Sequence, residues 1–278
     1  MRLGERVQSV GRSGRPIGRT LALSWLVIVA SAALLAPLLP IASPTEGTGA
    51  FAASPGSDHL LGTDRLGRDI LARVVFGARA SLQITVVVVV TAMLVGLVLG
   101  MLSAYFRGVV DVTISALVDV LLCLPGLVVL LVLVSFRGAT MSVLIVGMSA
   151  LIMPSFVRVA RANAMRFVQQ DFVRASVGLG APWVRVLAKD LLPNVLPPVR
   201  VYAMAASAQV LVAEGSLSFL GLGVPPPTPS WGGMIADGRS LMAYDPHIVV
   251  IPSIALLITV VALNRLGDRA AFSARHET

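Results

Sequence analysis

Long apolar runs alternate with polar stretches along the 278 residues of this chain. A helix of about 20 mostly apolar residues crosses the hydrocarbon core of a bilayer, which is about 30 Å thick. Six runs come close to this length, which predicts an all-α polytopic membrane protein. The predicted transmembrane helices are 21–40, 82–106, 112–136, 141–157, 199–222 and 247–264. The fourth is the shortest and contains Pro154, which neighbouring helices can accommodate in a membrane.

The first apolar run also has features of a secretory signal peptide. Five arginines precede it, and the small residues Ala50 and Ala52 follow it. The apolar region of a signal peptide is about 7–15 residues long, which is shorter than this run. We therefore expect the run to remain as the first transmembrane helix.

The composition excludes an ordinary soluble domain. Hydrophobic residues make up 56 % of the chain and charged residues 13 %, with a mean hydropathy of +0.87. Soluble domains are about 45–50 % apolar and about 25 % charged. The net charge of +8 could indicate a nucleic-acid partner. The cationic residues, however, are separated by runs that need lipid, so we expect contact with membrane lipid and no nucleic acid.

The distribution of cationic residues predicts the orientation. Cytoplasmic segments of membrane proteins are enriched in Lys and Arg. If the N-terminus lies inside, 16 of the 22 Lys and Arg residues fall in inside segments. This bias predicts that both termini are cytoplasmic.

The sequence shows no set of catalytic or metal-binding residues. Cys123 is the single cysteine and lies within an apolar run, and the three histidines are far apart in sequence. A phosphate-binding P-loop needs a Gly-Lys pair, but the single lysine, Lys189, follows an alanine. We therefore predict no catalytic residue, no metal and no cofactor bound by this chain, and any ATP and Mg²⁺ belong to partner subunits.

A basic segment, residues 158–200, interrupts the apolar pattern between the fourth and fifth predicted helices. Its seven cations are Arg158, Arg161, Arg166, Arg174, Arg185, Lys189 and Arg200. Apolar residues at helical spacing lead to a break at Gly178-Leu179-Gly180, and Pro182 suits the first position of a second helix. Prolines 193, 197 and 198 are expected to end the unit. The residues alone allow a docking element for a cytoplasmic partner or an amphipathic helix on anionic lipid.

A second polar segment follows the first predicted helix. Residues 41–57 are rich in Pro, Gly, Ser and Thr and predict a flexible external connection. Beyond it, Asp64 is predicted to cap a short amphipathic helix carrying Leu66, Ile70 and Val74. Asp69 and Arg73 are spaced to pair on that helix.

Two carboxylates, Asp119 and Glu214, fall within predicted transmembrane helices, where a charge must face protein or water. At 1.5 Å per residue their depths differ by roughly 13 Å, which predicts two separate sites. Each is a candidate for the translocation path or for a bond to neighbouring backbone or to another subunit. Gly96 and Gly100 allow close approach of another helix, either within this chain or in a second subunit.

Three blocks of the sequence resemble a known family. The first reads LGTDxxGRDxxxRxxxGxRxSL and contains Gly62, Thr63, Asp64, Gly67, Arg68 and Asp69. The second has Arg174-Ala175-Ser176, three residues, Gly180 and then Leu192-Pro193. The third is residues 214–232, EGSLSFLGLGVPPPTPSWG. Over residues 60–267 the chain resembles the C-type permease subunit of bacterial dipeptide/oligopeptide ABC importers.

The resemblance implies a type I ABC-importer permease fold with a cytoplasmic coupling helix. It implies a bacterial inner-membrane protein that pairs with a second homologous permease, two ABC ATPase domains and an extracytoplasmic solute-binding protein. The residues implied in ATPase coupling, within the loop 171–193, are Phe172, Arg174, Ala175, Ser176, Gly180 and Pro193. Arg174 stands where the family usually has Glu, and Asp190 where a basic residue or His is common. We therefore expect an acidic residue opposite Arg174 on the ATPase.

The resulting layout has five parts: a cytoplasmic tail 1–20, a first transmembrane helix 21–40, an external loop 41–81 with a short helix, a permease core 82–264 that includes the coupling loop 158–198, and a cytoplasmic tail 265–278. Peptides are the expected solute, while nickel, haem and glutathione-like solutes remain alternatives. A secondary transporter would show repeated halves and broken helices, and neither is evident.

Overall fold

The computed structural model describes the backbone of residues 16–274 and the side chains of residues 18 and 20–267. This part of the chain is predominantly helical and contains no strand, only an isolated bridge between Thr63 and Asp69. The helices are α1 (Pro16–Leu35), α2 (Ile70–Phe106), α3 (Gly108–Cys123), α4 (Gly126–Arg137), α5 (Met141–Val168), α6 (Asp171–Gly178), α7 (Trp183–Arg185), α8 (Leu192–Phe219), α9 (Trp231–Gly238) and α10 (His247–Ala274). Most of the predicted tail 1–20 lies outside the described residues.

Within the described residues, five helical segments are long and apolar enough to cross a membrane. They are Thr20–Leu38, Ile70–Phe106, Met141–Val168, Trp183–Phe219 and His247–Gly267. The third predicted transmembrane helix, 112–136, is not one continuous helix. It consists of α3 and α4, which meet at an angle of 85°. The break falls at Leu124-Pro125, because a residue before proline is pushed out of the helical conformation into an extended one.

The bent pair nevertheless connects the two ends of the molecule. Helices α2 and α5 pack in parallel: Ser149 hydrogen-bonds the Val88 carbonyl, Gly96 lies against Phe156, and Gly100 against Ala160. Residues 107–140 must therefore return from the end of α2 to the start of α5. We call the end with residues 41–69 and α9 the loop end, and the opposite end the α6 end.

Several helices extend beyond their apolar runs. Helix α2 begins at Ile70 rather than at residue 82, because Asp69 caps its first turn through the Ala72 N–H. Helix α5 continues to Val168, eleven residues past the predicted end at 157. The polar residues of that extension form helix readily, so hydropathy underestimates the helix length.

The prolines of the basic segment do not end a helix, contrary to the prediction. Helix α7 leads through a π-helical turn, Val186–Leu191, directly into α8. Pro193 lies in the first turn of α8, where a residue without an N–H is tolerated. The Asn194 side chain next to it donates to the Asp190 carbonyl at 2.7 Å.

The hydrophobic core is centred on α2, which packs against α5 and α8. Its fully buried residues include Ile84, Val88, Phe156, Leu191 and Val199. A second cluster joins α1, α8, α9 and α10, where the Trp25 indole donates to Thr259 at 2.9 Å. The side chains that face outward on the transmembrane helices are largely apolar, as expected for a lipid-embedded or subunit-covered surface.

The pair Gly96 and Gly100 lies between α2 and α5 of this chain. A Cβ at Gly100 would lie 2.6 Å from the Ala160 Cβ and 2.7 Å from the Val157 carbonyl oxygen. At Gly96 it would collide with the Phe156 Cβ. The sequence left open whether this glycine pair packs within the chain or against a second permease, and the structure shows packing within the chain.

Candidate functional site

Helix α6 is a short helix at the end of α5, and its C-terminal turn is closed by Gly180. The Gly180 N–H donates to the Val177 carbonyl at 2.9 Å, and the Ala181 N–H donates to the Ser176 carbonyl at 3.1 Å. This pair of bonds is a Schellman ending, which requires a positive φ at the glycine position. Gly180 has φ +78°, so the predicted glycine corner is confirmed. Pro182 caps the next helix and therefore lies one position before the predicted one.

One face of α6 anchors it and the other faces outward. Val173 is buried against the π-helical turn and α5. We call the exposed side the coupling patch; it consists of Phe172, Arg174, Val177, Leu179, Trp183 and Val184. Leu179 is 89 % exposed, which is unusual for a large apolar side chain on a helix corner. Several exposed large apolar side chains close together in sequence favour an interaction site.

Five of the six sequence-predicted coupling residues lie on α6 or at its C-terminal corner. Phe172, Arg174, Ala175 and Gly180 are exposed, and Ser176 is half-buried. Pro193 is exposed as well, but it belongs to the first turn of α8, beyond the π-helical turn. Trp183 and Val184 also belong to the coupling patch but were not predicted from the sequence spacing. Their exposure depends on the orientation of α7.

At the loop end, Asp64 organises a buried polar cluster. Its Oδ1 accepts the Leu66 and Arg68 N–H groups at 2.8 and 3.0 Å, and its Oδ2 accepts Arg68 Nε at 2.7 Å. Arg73 Nε lies 3.3 Å from the same Oδ2. The predicted short helix capped by Asp64 is therefore wrong: residues 64–69 form a turn, because the Asp64 carboxylate satisfies the backbone of that turn.

The predicted pair of Asp69 and Arg73 is also wrong. Asp69 is occupied by the N-terminus of α2 and by His59, whose Nδ1 lies 3.0 Å from Oδ2. Arg73 turns towards Asp64 and donates to the Pro44 carbonyl at 3.1 Å. The helix cap and the His59 contact therefore engage Asp69, and tertiary contacts engage Arg73, so the i, i+4 pair does not form.

The remaining residues of this first block hold the loop in place. Thr63 is buried and bonds the Ala50 carbonyl and the Ala53 N–H. Gly62 and Gly67 have φ +80° and +74°, and a Cβ at Gly62 would collide with the Ala53 carbonyl. Residues 48–53 are thus hydrogen-bonded to the block, where a flexible connection was expected.

Helix α9 contributes an acidic residue that the sequence pattern did not reveal. Asp237 lies 3.7 Å from Arg68 Nη2, 3.7 Å from Arg73 Nη2 and 4.0 Å from Arg65 Nη2. These ion pairs join the loop to α9, although the two are far apart in sequence. The proline-rich stretch 225–229 closes a recess of about 190 Å³ beside this cluster.

Glu214 is buried within the chain at the junction of α2, α8 and α9. Ser81 donates to Oε2 at 3.2 Å and Ser218 donates to Oε1 at 2.8 Å. The Trp231 N–H donates to Ser81 Oγ at 3.2 Å, which links the third sequence block back to the first. Only 1 % of Glu214 is exposed, so the carboxylate is enclosed by its own chain in this conformation.

Asp119 lies apart from Glu214, on α3, and accepts a hydrogen bond from Arg158 Nη2 at 2.7 Å. Both side chains are exposed, at 61 % for Asp119 and 59 % for Arg158. Nearer the α6 end, Arg161 binds Asp111 through Nε and Nη2 at 2.6 and 2.7 Å. The described residues contain no group of side chains suited to hold a metal ion.

The chain belongs to the family of binding-protein-dependent transport system inner membrane components, whose family profile matches residues 96–272. This family comprises the membrane permeases of ABC importers, so the expected class of protein is confirmed. The secondary-transporter alternative is wrong, even though α3 and α4 form a broken helix.

Similar permeases with assigned names indicate which branch of the family this chain resembles. The chain is 36 % identical over 214 residues to the glutathione transport system permease protein GsiD of Pectobacterium atrosepticum, covering 77 % of this chain and 71 % of that protein. It is 34 % identical to the di/tripeptide transport system permease protein DppC of Pseudomonas aeruginosa, covering 88 % of this chain and 84 % of that protein. It is 33 % identical to the dipeptide permease DppC of Haemophilus influenzae, covering 90 % and 88 %.

The fold also matches solved structures. An inward-facing structure of the MetNI methionine ABC transporter superposes with a TM-score of 0.61 at 20 % identity, covering 73 % of this chain and 97 % of that chain. A second crystal form gives a TM-score of 0.60. The type I permease fold expected from the resemblance is therefore confirmed.

Proposed function

We propose that this ABC-importer permease carries di- and oligopeptides into the cell. The observation that carries the proposal is its 33–34 % identity, over nearly the whole chain, to permeases named for dipeptide and di/tripeptide transport. The chain would form the path with a second homologous permease and receive solute from an extracytoplasmic binding protein. It lies in the inner membrane with both termini cytoplasmic, as the 16:6 cation bias supports.

ATP hydrolysis would take place on two ABC ATPase domains that dock at the α6 end. The coupling patch supports this proposal, because it combines exposed apolar side chains with a rigid, Schellman-closed helix. Val173 and the π-helical turn tie α6 to α5 and α8, so displacement of α6 would reach two transmembrane helices. ATP and Mg²⁺ would be held by those partners and not by this chain.

Alternating access would then follow from rigid-body motion. Closure of the two ATPase domains would move α6, and the close packing of α2 with α5 at Gly96 and Gly100 would transmit the motion without repacking. The path between the two permeases would open in turn to the outside and to the inside.

A glutathione-type solute is a second candidate, because the relative at 36 % identity is named for glutathione transport. Glutathione is itself a tripeptide, so both solutes require a path that admits peptide groups and charged termini. Nickel and haem remain the alternatives from sequence. ATP-dependent uptake of labelled dialanine, glutathione, nickel and haem into proteoliposomes containing the purified assembly separates them; saturable uptake of nickel or haem with none of either peptide would contradict the proposal.

Charge reversal on α6 tests the coupling proposal. We expect Arg174→Glu to weaken co-purification of the ATPase with the tagged permease, because Arg174 would face an acidic residue of the partner. Arg137→Glu, an exposed arginine at the loop-end terminus of α4, is the matched control and should leave association unchanged. Equal ATPase recovery with Arg174→Glu and wild type would remove the electrostatic contact from the proposal.

A further inference from the structure

The exposed ion pair between Asp119 of α3 and Arg158 of α5 lies in the part of the membrane domain nearer the α6 end. Arg158 is 17 residues from the start of α5, or about 26 Å along the helix axis. A hydrocarbon core about 30 Å thick that begins near Met141 ends about 4 Å beyond Arg158, so the pair lies close to the α6-end boundary of the membrane. Asp119 lies on the same level, five residues before the break at Leu124.

Lipid does not suit this face of the protein. Both charged side chains are more than half exposed, and charged groups within a bilayer face protein interior or water. Val112, Ala116 and Cys123 are exposed with Asp119 at helical spacing, so they form one stripe along α3. In the assembled transporter we expect the charged pair on this stripe to face water or another subunit.

The neighbouring ion pair between Asp111 and Arg161 is less exposed and more completely hydrogen-bonded. Asp111 and Arg161 are joined by two parallel hydrogen bonds, and Ser103 also bonds Asp111. Their side chains are 18 % and 33 % exposed. Asp119 and Arg158, by contrast, share one hydrogen bond and keep hydrogen-bonding capacity on both groups open to the outside.

We propose that Asp119 and Arg158 form a binding station in the translocation path for the charged termini of a peptide. The inference rests on the proposed peptide transport. The free carboxylate oxygen of Asp119 would accept the solute ammonium group, and the remaining N–H groups of Arg158 would donate to the solute carboxylate. The single hydrogen bond within the pair holds both side chains in place between passages of solute.

Native Cys123 reports whether this stripe faces water, because it is exposed one turn from Asp119. In the assembled importer, we expect a charged, water-soluble methanethiosulfonate to modify Cys123, as read by mass spectrometry of this chain. Dialanine supplied with the binding protein should slow the modification. Reaction only with a membrane-soluble maleimide would place the stripe against lipid and overturn the proposal.

Capped dipeptides test the separate roles of the two charges. The assay is ATP-dependent uptake of dialanine, N-acetyl-dialanine and dialanine amide by the reconstituted importer. The same binding protein is used with every variant, so its own preference among the three solutes cancels when variants are compared. Asp119→Asn should lower the uptake ratio of dialanine to the N-acetyl peptide about threefold, the size expected for an exposed charge pair. Arg158→Gln should lower the ratio of dialanine to the amide instead.

Asp111→Asn is the matched control, because it should change uptake of the three solutes in proportion. The proposal fails if Asp119→Asn and Arg158→Gln also act in proportion, or if they alter permease assembly alone. If the binding protein rejects capped peptides, the protection of Cys123 by dialanine is the deciding measurement. The Asp119→Asn variant should lose this protection, and the Asp111→Asn variant should keep it. Absence of any peptide uptake by wild type would instead contradict the proposed function.

Discussion

At the scale of single residues, buried polar side chains of this permease bond both within one turn or helix and between helices that are distant in sequence. Asp64 binds Arg68 and Arg73, and Glu214 accepts from Ser81 and Ser218. All of these side chains are buried. In a bilayer the hydrophobic effect does not distinguish a neighbouring helix from lipid, so polar contacts carry a larger share of specificity.

Removing the charge of Asp64 should destabilise the protein strongly. Asp64→Asn leaves the guanidinium groups of Arg68 and Arg73 buried with a single loosely held carboxylate, Asp237. Loss of one partner from a buried ion pair costs about 3 kcal/mol or more. Thermal unfolding of the purified permease in detergent measures the change.

The matched control for that experiment is Asp58→Asn, since Asp58 is exposed in the same loop. It should leave the unfolding temperature near that of wild type. Equal unfolding temperatures for both variants would show that the Asp64 cluster contributes nothing to stability.

At the scale of elements, close helix packing and helix breaks have local causes in the sequence. The small residues Gly96 and Gly100 let α2 approach α5, and Pro125 separates α3 from α4. The π-helical turn before α8 lets a helix continue through a proline-rich stretch. These features determine where the permease is rigid and where α6 is attached to it.

Substitution of Gly100 by alanine should weaken the α2–α5 contact. The added Cβ would lie 2.6–2.8 Å from the Ala160 Cβ and from backbone atoms of Val157 and Arg161, which cannot move independently of α5. Overpacking of this kind costs about 1–3 kcal/mol. The measurement is the unfolding temperature of the purified permease.

Gly178→Ala serves as the control for the packing experiment, because a Cβ there meets no atom within 4 Å. It should be neutral or slightly stabilising at the end of α6. An unchanged unfolding temperature for Gly100→Ala would contradict tight packing at this contact.

At the scale of the whole molecule, the two ends of the permease differ in character. The loop end carries interlocked polar clusters and the proline-rich recess, and the α6 end carries an exposed apolar and basic helix. This asymmetry suits delivery of solute at one end and transfer of force at the other.

Sided labelling tests the orientation proposed for these ends. In a Cys123→Ala background, Ser57→Cys at the loop end should react with an impermeant maleimide in intact cells. Ala188→Cys at the α6 end should react only in inverted membrane vesicles. The opposite pattern would show that the α6 end faces outward, which is incompatible with docking to a cytoplasmic ATPase.

Hydropathy and local turn chemistry determined much of this protein without tertiary information. The six apolar runs, the start of α10 at His247, the end of α2 at Phe106 and the corner at Gly180 all follow from interactions within a few residues. Their energies arise from lipid burial and from backbone geometry that only glycine adopts easily.

A local helix cap decided one partner of Asp69, and tertiary structure decided the partners of Arg73. Asp69 and Arg73 are spaced to pair on one helix turn, yet Asp69 caps α2 and Arg73 joins Asp64 and Asp237. A surface pair at i, i+4 contributes only a few tenths of a kcal/mol, whereas an unsatisfied helix terminus or a buried unpaired charge costs several times more. The cost of leaving a buried group unpaired therefore determines which partners form. For Arg73 these partners include Asp237, which is distant in sequence.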